Sequence, residues 1–173
     1  LTTVSTGGFS TRDASFGAFG YAAQGVAVLF MILAALPFVR FVQLFNGTAE
    51  PLWRDKQVRG MMAVLALFSA AITLWLWMRA EAMTLEAAMA ALFNTTSLIT
   101  GTGYASADYM AWGSFANVAL FFVGLVGGCA GSTSCSVKIF RYQLLFAAVR
   151  AQVRQLSSPS GIFTPRYDGR PVG

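Results

Sequence analysis

Histidine is absent from this sequence and cysteine is scarce, and both shortages restrict the chemistry that the chain can perform. None of the 173 residues is histidine, and the two cysteines are Cys129 and Cys135. Nucleophilic Ser–His or Cys–His pairs are therefore impossible, and a zinc site with about four Cys, His or carboxylate ligands is not supported. We expect both cysteines to be small apolar residues on a buried helix.

Charge is scarce as well. Charged residues make up 11% of the chain and hydrophobic residues 56%, whereas a soluble domain has about 25% charged residues. Residues 14–39, 60–78 and 109–137 contain no charge, and crossing the hydrocarbon layer takes about 20 apolar residues. Three such stretches favour an integral membrane protein over the core helices of a large soluble protein. The spans also lack a carboxylate pair, which disfavours a proton-relay carrier.

The amino-terminal stretch is polar and rich in threonine and glycine, and it begins at Leu1. It has neither the charged start nor the short apolar run and cleavage site of a signal peptide. We therefore expect the chain to be a segment of a longer protein whose amino-terminal part lies outside it.

The net charge of +5 comes from basic residues beside the apolar stretches. Excess Lys and Arg in short segments beside membrane spans mark the cytoplasmic side. No basic strip interleaved with aromatic residues is visible, so nucleic acid is not an expected partner. One basic group follows the first apolar stretch and the other follows the last: Arg40, Arg54, Lys56 and Arg59, then Arg150, Arg154, Arg166 and Arg170.

The orientation rule gives a path for the chain. A first span at 21–45 runs inward, with Pro37 able to interrupt it, and a second span at 58–78 runs outward. Residues 84–98 predict a short helix, capped by Thr84 and with Glu86 in its first turn. That helix is too short to cross the membrane. A polar turn containing Gly101 and Gly103 follows, and the last charge-free stretch then returns inward.

The start of the chain and this later region share an order of elements. With a shift of 96 residues, Thr6 and Gly7 fall on Thr102 and Gly103, and the first span falls on the last one. The chain therefore reads as the end of one repeat followed by one complete repeat. In membrane transporters that are built from repeats, the substrate path usually lies at the repeat interface.

The glycine turns predict a cation pathway. Non-helical backbone is tolerated at membrane depth only where protein buries it or where it lines a water-filled cavity. Glycine permits backbone angles that other residues avoid, and rings of backbone carbonyl oxygens can replace the hydration shell of a potassium ion. An ordinary external loop is the alternative for a single glycine turn, but two turns in equivalent positions favour a pore.

Four strings of residues give the sequence a resemblance to a known family, the TrkH/KtrB potassium-uptake proteins. They are STGGFS at 5–10, TGY at 102–104, GGCAGST at 127–133 and GRPV at 169–172. The resemblance implies an all-α integral membrane fold of span–pore-loop–span repeats, each with a re-entrant pore helix and an extended filter strand. Family members have four such repeats around one pore. By this resemblance the chain is a carboxy-terminal segment that holds the end of the third repeat and all of the fourth.

The resemblance also implies roles for individual residues. The ion-binding filter positions would be Thr6, Gly7, Thr102 and Gly103, supported by Ser5, Gly8, Gly101 and Tyr104. Glycine at the filter positions resembles the potassium-selective pattern, so K⁺ is the expected transported ion, and no covalent cofactor is expected. Arg141, with Lys138 one helical turn earlier, would form an electrostatic barrier below the filter. The alternative for Arg141 is a cytoplasmic anchor that extends to the membrane surface.

The glycines of the last span predict close helix packing and a bend. They recur every three or four residues, at Gly124, Gly127, Gly128 and Gly131. The resemblance places the corresponding glycine-rich region under the filter.

These expectations divide the chain into four segments. They are the end of one repeat at 1–45, a cytoplasmic loop at 46–57, a full repeat at 58–155 and a cytoplasmic tail at 156–173. The resemblance implies a multi-pass homodimer in the bacterial inner membrane, surrounded by lipid, with a TrkA/KtrA-like nucleotide-binding regulatory subunit on the cytoplasmic side. The function expected is potassium uptake and not an enzymatic reaction. A sodium-conducting relative and a non-conducting membrane scaffold are the alternatives.

Overall fold

Helices make up most of the chain, as the long apolar stretches predict. The computed structural model describes residues 1–47, 52–80, 84–157, 166–167 and 170–171. Within these ranges the six α-helices are α1 (Tyr21–Ala35), α2 (Phe38–Phe45), α3 (Lys56–Ala80), α4 (Leu85–Thr100), α5 (Ser114–Leu125) and α6 (Ile139–Ser157). In the same ranges β1 (Val126–Gly127) pairs in parallel with β2 (Val137–Lys138), and β3 (Arg166–Tyr167) pairs antiparallel with β4 (Arg170–Pro171). Short 3-10 helices lie at Ser15–Ala18, Leu52–Arg54 and Tyr109–Trp112.

Parts of the two predicted cytoplasmic segments lie outside the described residues. These parts are 48–51 in the loop at 46–57, and 158–165, 168–169 and 172–173 in the tail at 156–173. The tail motif at 169–172 is therefore described only through the backbone of β4.

Helix α4 occupies the centre of the fold, between α1, α3 and α5. Its Phe93 is fully buried in a cluster with Met31 of α1. On another side of α4, Ala91 packs with Ile72 of α3 and Leu120 of α5. Helix α4 is therefore enclosed by three apolar helices, which fixes the position of the chain that leaves its carboxyl end.

The outer face of α5 is strongly apolar and exposed. Apolar patches of this kind on a protein surface mark contact with a membrane or with another protein. The exposed residues are Phe115, Val118, Phe121, Phe122 and Leu125.

Of the three predicted spans, the second is confirmed as one continuous helix. Lys56–Arg79 has 24 residues and contains an 18-residue window with a mean hydropathy of 2.0, so it is long and apolar enough to cross a membrane. The predicted span over 21–45 is interrupted beside Pro37, as that proline allows, because α1 and α2 meet at an angle of 90°. Leu36 is extended at the break. Pro37 follows it and has no N–H to donate to the preceding turn.

The prediction of one continuous span over 109–137 is wrong, although the bend predicted at its glycines corresponds to a break in the helix. Helix α5 ends at Leu125, and residues 128–136 form a loop between β1 and β2 before α6 begins. A Cβ atom on Gly127 would lie 2.2 Å from the Cys135 carbonyl oxygen, and one on Gly128 would lie 3.0 Å from the Ala35 carbonyl oxygen. These glycines therefore allow backbone to approach backbone, and they do not pack one helix on another as predicted.

The two cysteines and Gly124 also differ from expectation. Neither cysteine lies on a helix, because both belong to the 128–136 loop. Cys129 is buried and Cys135 is exposed. Gly124 does lie on a helix, but no neighbouring atom lies within 4 Å of the place where its Cβ would be. The helix-packing interpretation therefore fails at Gly124 as well.

Candidate functional site

Helix α4 begins as the sequence predicts, but it ends at Thr100, two residues beyond the predicted range of 84–98. The Thr84 hydroxyl oxygen accepts a hydrogen bond from the Ala87 N–H at 3.3 Å, and Glu86 lies in the first turn. Gly101, with a φ of +70°, ends the helix, and the Thr102 N–H donates to the Ser97 carbonyl at 2.9 Å. A helix of 16 residues is about 24 Å long. Its carboxyl end, the negative end of the helix dipole, leads directly into the predicted filter strand.

Asn94 joins α4 to the far end of that strand. Its amide nitrogen donates to the Ala90 carbonyl at 2.8 Å and to the Ser106 hydroxyl at 2.9 Å. Its amide oxygen accepts from the Ser106 N–H at 3.3 Å. Because Asn94 is fully buried, these bonds hold residues 101–106 against the helix.

Left-handed backbone recurs at alternate residues in both predicted filter strands. The φ angles are +51° at Thr6 and +67° at Gly8, then +70° at Gly101 and +83° at Gly103. The two pairs are 95 residues apart. By backbone conformation, the two strands therefore align with a shift of 95 residues, one fewer than the shift of 96 that the sequence predicts. Gly8 is thereby the structural equivalent of Gly103. This conformation is readily adopted by glycine and disfavoured for other residues.

Within each strand, the threonine and the glycine that follows it differ in exposure. Thr6 and Thr102 are buried, whereas Gly7 and Gly103 are exposed. The Thr6 hydroxyl donates to the carbonyl oxygens of Ser5 at 2.8 Å and Thr133 at 2.9 Å. The Thr102 hydroxyl is bonded to that of Thr100 at 2.7 Å. The threonine side chains therefore fix each strand, and the glycine backbone remains open.

The structure brings the two predicted filter strands together. A Cβ atom on Gly8 would lie 2.1 Å from the Thr102 carbonyl oxygen. The buried Tyr104 hydroxyl is bonded to the Thr2 hydroxyl, and lies 3.3 Å from the Thr3 hydroxyl. The Phe16 N–H donates to the Ala105 carbonyl at 2.9 Å. The two strands, distant in sequence, thus approach each other at Gly8 and Thr102, and the residues that flank the first strand contact the second.

The 128–136 loop contacts both the break after α1 and the first filter strand. The Cys129 N–H donates to the Ala35 carbonyl at 3.0 Å, and the Phe38 N–H donates to the Gly131 carbonyl at 2.9 Å. The Thr133 hydroxyl donates to the carbonyls of Ala34 at 3.2 Å and Val4 at 3.0 Å. Carbonyl groups left free where α1 ends therefore find partners in this loop.

Of the two predicted barrier residues, Lys138 lies against the loop. Its ammonium group donates to the Ser134 carbonyl, and lies 3.2 Å from the Ser134 hydroxyl and 3.4 Å from the Ser132 hydroxyl. Arg141 is exposed on the first turn of α6. The two residues were predicted to be one turn apart on the same helix. This is wrong, because Lys138 ends β2 and precedes α6.

Comparison with models of protein families shows the family to which the chain belongs. The model of the TrkH family, described as a cation transport protein, matches residues 61–173. The chain belongs to the TrkH family.

Relatives within this family match nearly the whole chain. The Trk system potassium uptake protein TrkI of Halomonas elongata is 42% identical over 99% of this chain and 35% of its own length. The Trk system potassium uptake protein TrkH of Vibrio parahaemolyticus is 32% identical over 98% of this chain and 36% of its own length. The chain therefore spans little more than a third of these relatives.

A solved structure has the same fold. The crystal structure of the potassium transporter TrkH from Vibrio parahaemolyticus matches with a TM-score of 0.90 and 30% sequence identity. The match covers 99% of this chain and 38% of the transporter chain. The helix order and the broken helices described above thus belong to a TrkH-type arrangement.

In this TrkH-family chain, sequence reasoning missed three residues that organise the site. Asn94 joins α4 to residue Ser106, and Thr133 joins the 128–136 loop to the first filter strand. Gln57 contacts the same loop through its amide oxygen, which accepts from the Ala130 N–H at 2.9 Å. The available signal was a polar residue within or beside an apolar stretch, and that signal does not reveal a partner far along the chain.

Proposed function

We propose that the parent protein takes up potassium ions across a membrane and that this chain supplies two adjoining strands of its selectivity filter. The observation that carries the proposal is the repeated left-handed backbone at Thr6 and Gly8 and at Gly101 and Gly103. The names of the relatives support potassium as the ion. The predicted segment boundaries, and the assignment to the third and fourth of four repeats, stay predictions.

The proposed mechanism is passage of the ion through a ring of backbone oxygens. Carbonyl groups from the exposed glycine backbone at Gly7 and Gly103, and from the half-buried Gly8, replace water around the ion. The carboxyl end of α4 carries a partial negative charge, which favours a cation at the start of the second strand. Ions move down their electrochemical gradient, so no bond is made or broken and no enzymatic chemistry is involved.

The proposed setting is the bacterial inner membrane, crossed several times. Helix α3 meets the length requirement for a span, and α1 with α2 forms a bent pair that meets it jointly. The basic group at Arg54, Lys56 and Arg59 then lies on the cytoplasmic side, as does the end of α6. The apolar outer face of α5 contacts lipid or another part of the parent protein.

The 128–136 loop and Lys138 form the proposed gate. The loop contacts the first filter strand through Thr133, and the positive charge of Lys138 lies against the loop. A cation that leaves the filter along this side meets that charge, so the barrier is removed only when the loop and Lys138 move. Arg141, which is exposed, is assigned to the cytoplasmic membrane surface.

The proposed assembly is a homodimer of the parent protein with a TrkA/KtrA-like nucleotide-binding subunit. The relatives are named as members of a Trk system, which supports a cooperating partner. Arg150 and Arg154 are exposed near the end of α6, where they would face the cytoplasmic subunit.

The experiment that tests the filter uses the full-length parent in a bacterium that lacks its own potassium uptake. We expect the parent to restore growth at limiting potassium and Gly103→Ser to abolish it, because serine is strained at a φ of +83°. A matched control is Gly25→Ser. Gly25 lies on α1 and, like Gly103, has no atom within 4 Å of its Cβ position.

Each result has a defined meaning when the three proteins are present at equal levels in the membrane. Growth with the parent and Gly25→Ser, but not with Gly103→Ser, supports a potassium filter at Gly103. Growth with both variants removes Gly103 from the filter. If the parent itself fails to restore growth but carries sodium, the chain belongs to a sodium-conducting relative, and if it carries neither ion it is a scaffold.

A further inference from the structure

We propose that Gln57 is a positioning residue that holds the 128–136 loop in its closed position beneath the filter strands. The inference rests on the proposed function, since it concerns the gate of the same pathway. It adds a named side chain on the first turn of α3, at the end of the predicted cytoplasmic loop at 46–57.

Three consecutive residues anchor the middle of the loop to three different helices. The Cys129 N–H donates to the carbonyl of Ala35 at the end of α1, and the Gly131 carbonyl accepts from the N–H of Phe38 at the start of α2. Between them, the Ala130 N–H donates to the Gln57 amide oxygen at 2.9 Å. Of these three anchors, the one to Gln57 is the one made by a side chain. It can therefore be removed without altering the backbone.

Gln57 is itself held in place by Asp55. One carboxylate oxygen of Asp55 accepts from the Gln57 backbone N–H at 2.8 Å. The other accepts from Arg40 Nε of α2 at 3.0 Å, an ion pair with the Asp55 side chain 10% exposed. The first turn of α3, the start of α2 and the loop thus form one connected set of contacts. A shift of α3 changes the position of the Gln57 side chain directly.

The opposite end of the same loop contacts the filter. Thr133, three residues after Ala130, accepts a hydrogen bond from the Thr6 hydroxyl at 2.9 Å and donates one to the Val4 carbonyl at 3.0 Å. Energetic coupling between two sites can be carried by a connected chain of packed and hydrogen-bonded residues. Residues 130–133 are such a chain, with the start of α3 at one end and the first filter strand at the other.

The direction of the effect follows from the hydrogen bond at Ala130. Ala130 is half-buried, between the buried Cys129 and the exposed Gly131, and its N–H donates to the Gln57 amide oxygen. Loss of that acceptor destabilises the loop arrangement in which the bond is made. Removing the Gln57 acceptor therefore shifts the loop away from its closed position, and flux increases.

The test uses the purified full-length parent in liposomes, without a regulatory subunit, with ⁸⁶Rb⁺ influx in place of potassium. We expect Gln57→Leu to raise influx about fivefold or more. Gln57→Glu keeps an acceptor oxygen and is expected to retain the parent rate. Ser69→Ala is a control on the same helix, because the Ser69 hydroxyl bonds to carbonyls within α3. A purely structural role for Gln57 would lower influx and would not raise it.

A second measurement reads the hydrogen bond itself. We expect hydrogen exchange at the Ala130 amide to be faster in Gln57→Leu than in the parent and unchanged in Gln57→Glu. Unchanged or lower influx in Gln57→Leu overturns the inference, as does a rise of equal size in Gln57→Glu. If Gln57→Leu is not recovered from membranes, Gln57→Asn, whose shorter side chain withdraws the acceptor, carries the same expectation. If the parent passes no ion, the proposed function fails. Independently, unchanged hydrogen exchange at the Ala130 amide in Gln57→Leu would overturn the inference that Gln57 holds the loop.

Discussion

At the scale of single residues, the two adjacent glycines of the first proposed filter strand, Gly7 and Gly8, have different environments. Gly8 has a φ of +67°, and its Cβ position lies 2.1 Å from the Thr102 carbonyl oxygen. Gly7 has an ordinary φ, and the nearest atom to its Cβ position is Phe9 Cδ2 at 3.3 Å. An added methyl group at Gly7 therefore meets a flexible ring, whereas one at Gly8 meets the backbone of the second strand.

We accordingly expect Gly8→Ala to abolish potassium uptake and Gly7→Ala to retain most of it. Left-handed backbone costs a non-glycine residue about 1–2 kcal/mol, and at Gly8 the steric overlap adds to that cost. Growth of the uptake-deficient bacterium at limiting potassium checks this, with membrane levels of both variants measured by immunoblot. Equal loss in both variants would contradict the shift of 95 residues, which pairs Gly8 with Gly103. It would favour the shift of 96 residues, which pairs Gly7 with Gly103.

The sequence predicts part of this strand and not the rest. The Thr-Gly strings identify Thr6 and Thr102, and the structure buries both side chains. Gly7 and Gly8 are the same residue type, so their sequence contains no information on which one adopts a positive φ. That difference depends on the Thr102 carbonyl, which lies in the other strand, and only the folded structure reveals it.

At the scale of elements, α4 is the part of the site that the sequence predicts best. Its amino-terminal cap, its first-turn acidic residue and the glycine that ends it are local signals, and all three are present in the structure at Thr84, Glu86 and Gly101. Local signals suffice because each involves residues within one helical turn of the helix end.

The cap of α4 leads to a stability prediction. Thr84→Ala removes the hydroxyl that accepts the Ala87 N–H, and we expect it to lower the free energy of unfolding by about 1 kcal/mol. Thr84→Ser keeps the acceptor and should lose much less. The bond from Trp77 goes to the Thr84 carbonyl, so neither change removes it. Thermal unfolding of the purified parent in detergent measures both, and equal losses would show that the hydroxyl does not act as a cap.

The broken spans could not be predicted in the same way. Hydropathy and the absence of charge are equally consistent with a continuous helix over 109–137 and with a helix, a loop and a second helix. The break after α1 is stabilised because the carbonyls of Ala34 and Ala35 accept bonds from Thr133 and Cys129. These partners lie far along the chain, so each break depends on the other one.

At the scale of the whole molecule, the exposed surfaces of the chain fall into two kinds. The outer face of α5 is apolar, whereas the end of α6 combines apolar residues with Arg150 and Arg154. These two arginines are four residues apart and so lie on one side of the helix. An apolar face suits lipid or another repeat, but two exposed cations beside the membrane suit a charged cytoplasmic partner.

We therefore expect the double variant Arg150→Gln/Arg154→Gln to bind the cytoplasmic regulatory subunit roughly two- to tenfold more weakly, as expected for exposed ion pairs. Flux through the purified parent alone should not change, because neither arginine touches the filter or the loop in the described contacts. The matched control is Arg54→Gln/Arg59→Gln, which removes the same charge from two exposed residues of the other basic segment. Pull-down of the subunit at two salt concentrations, together with liposome flux, distinguishes the possibilities. Equal weakening by both double variants would mean that total positive charge, and not the end of α6, recruits the partner.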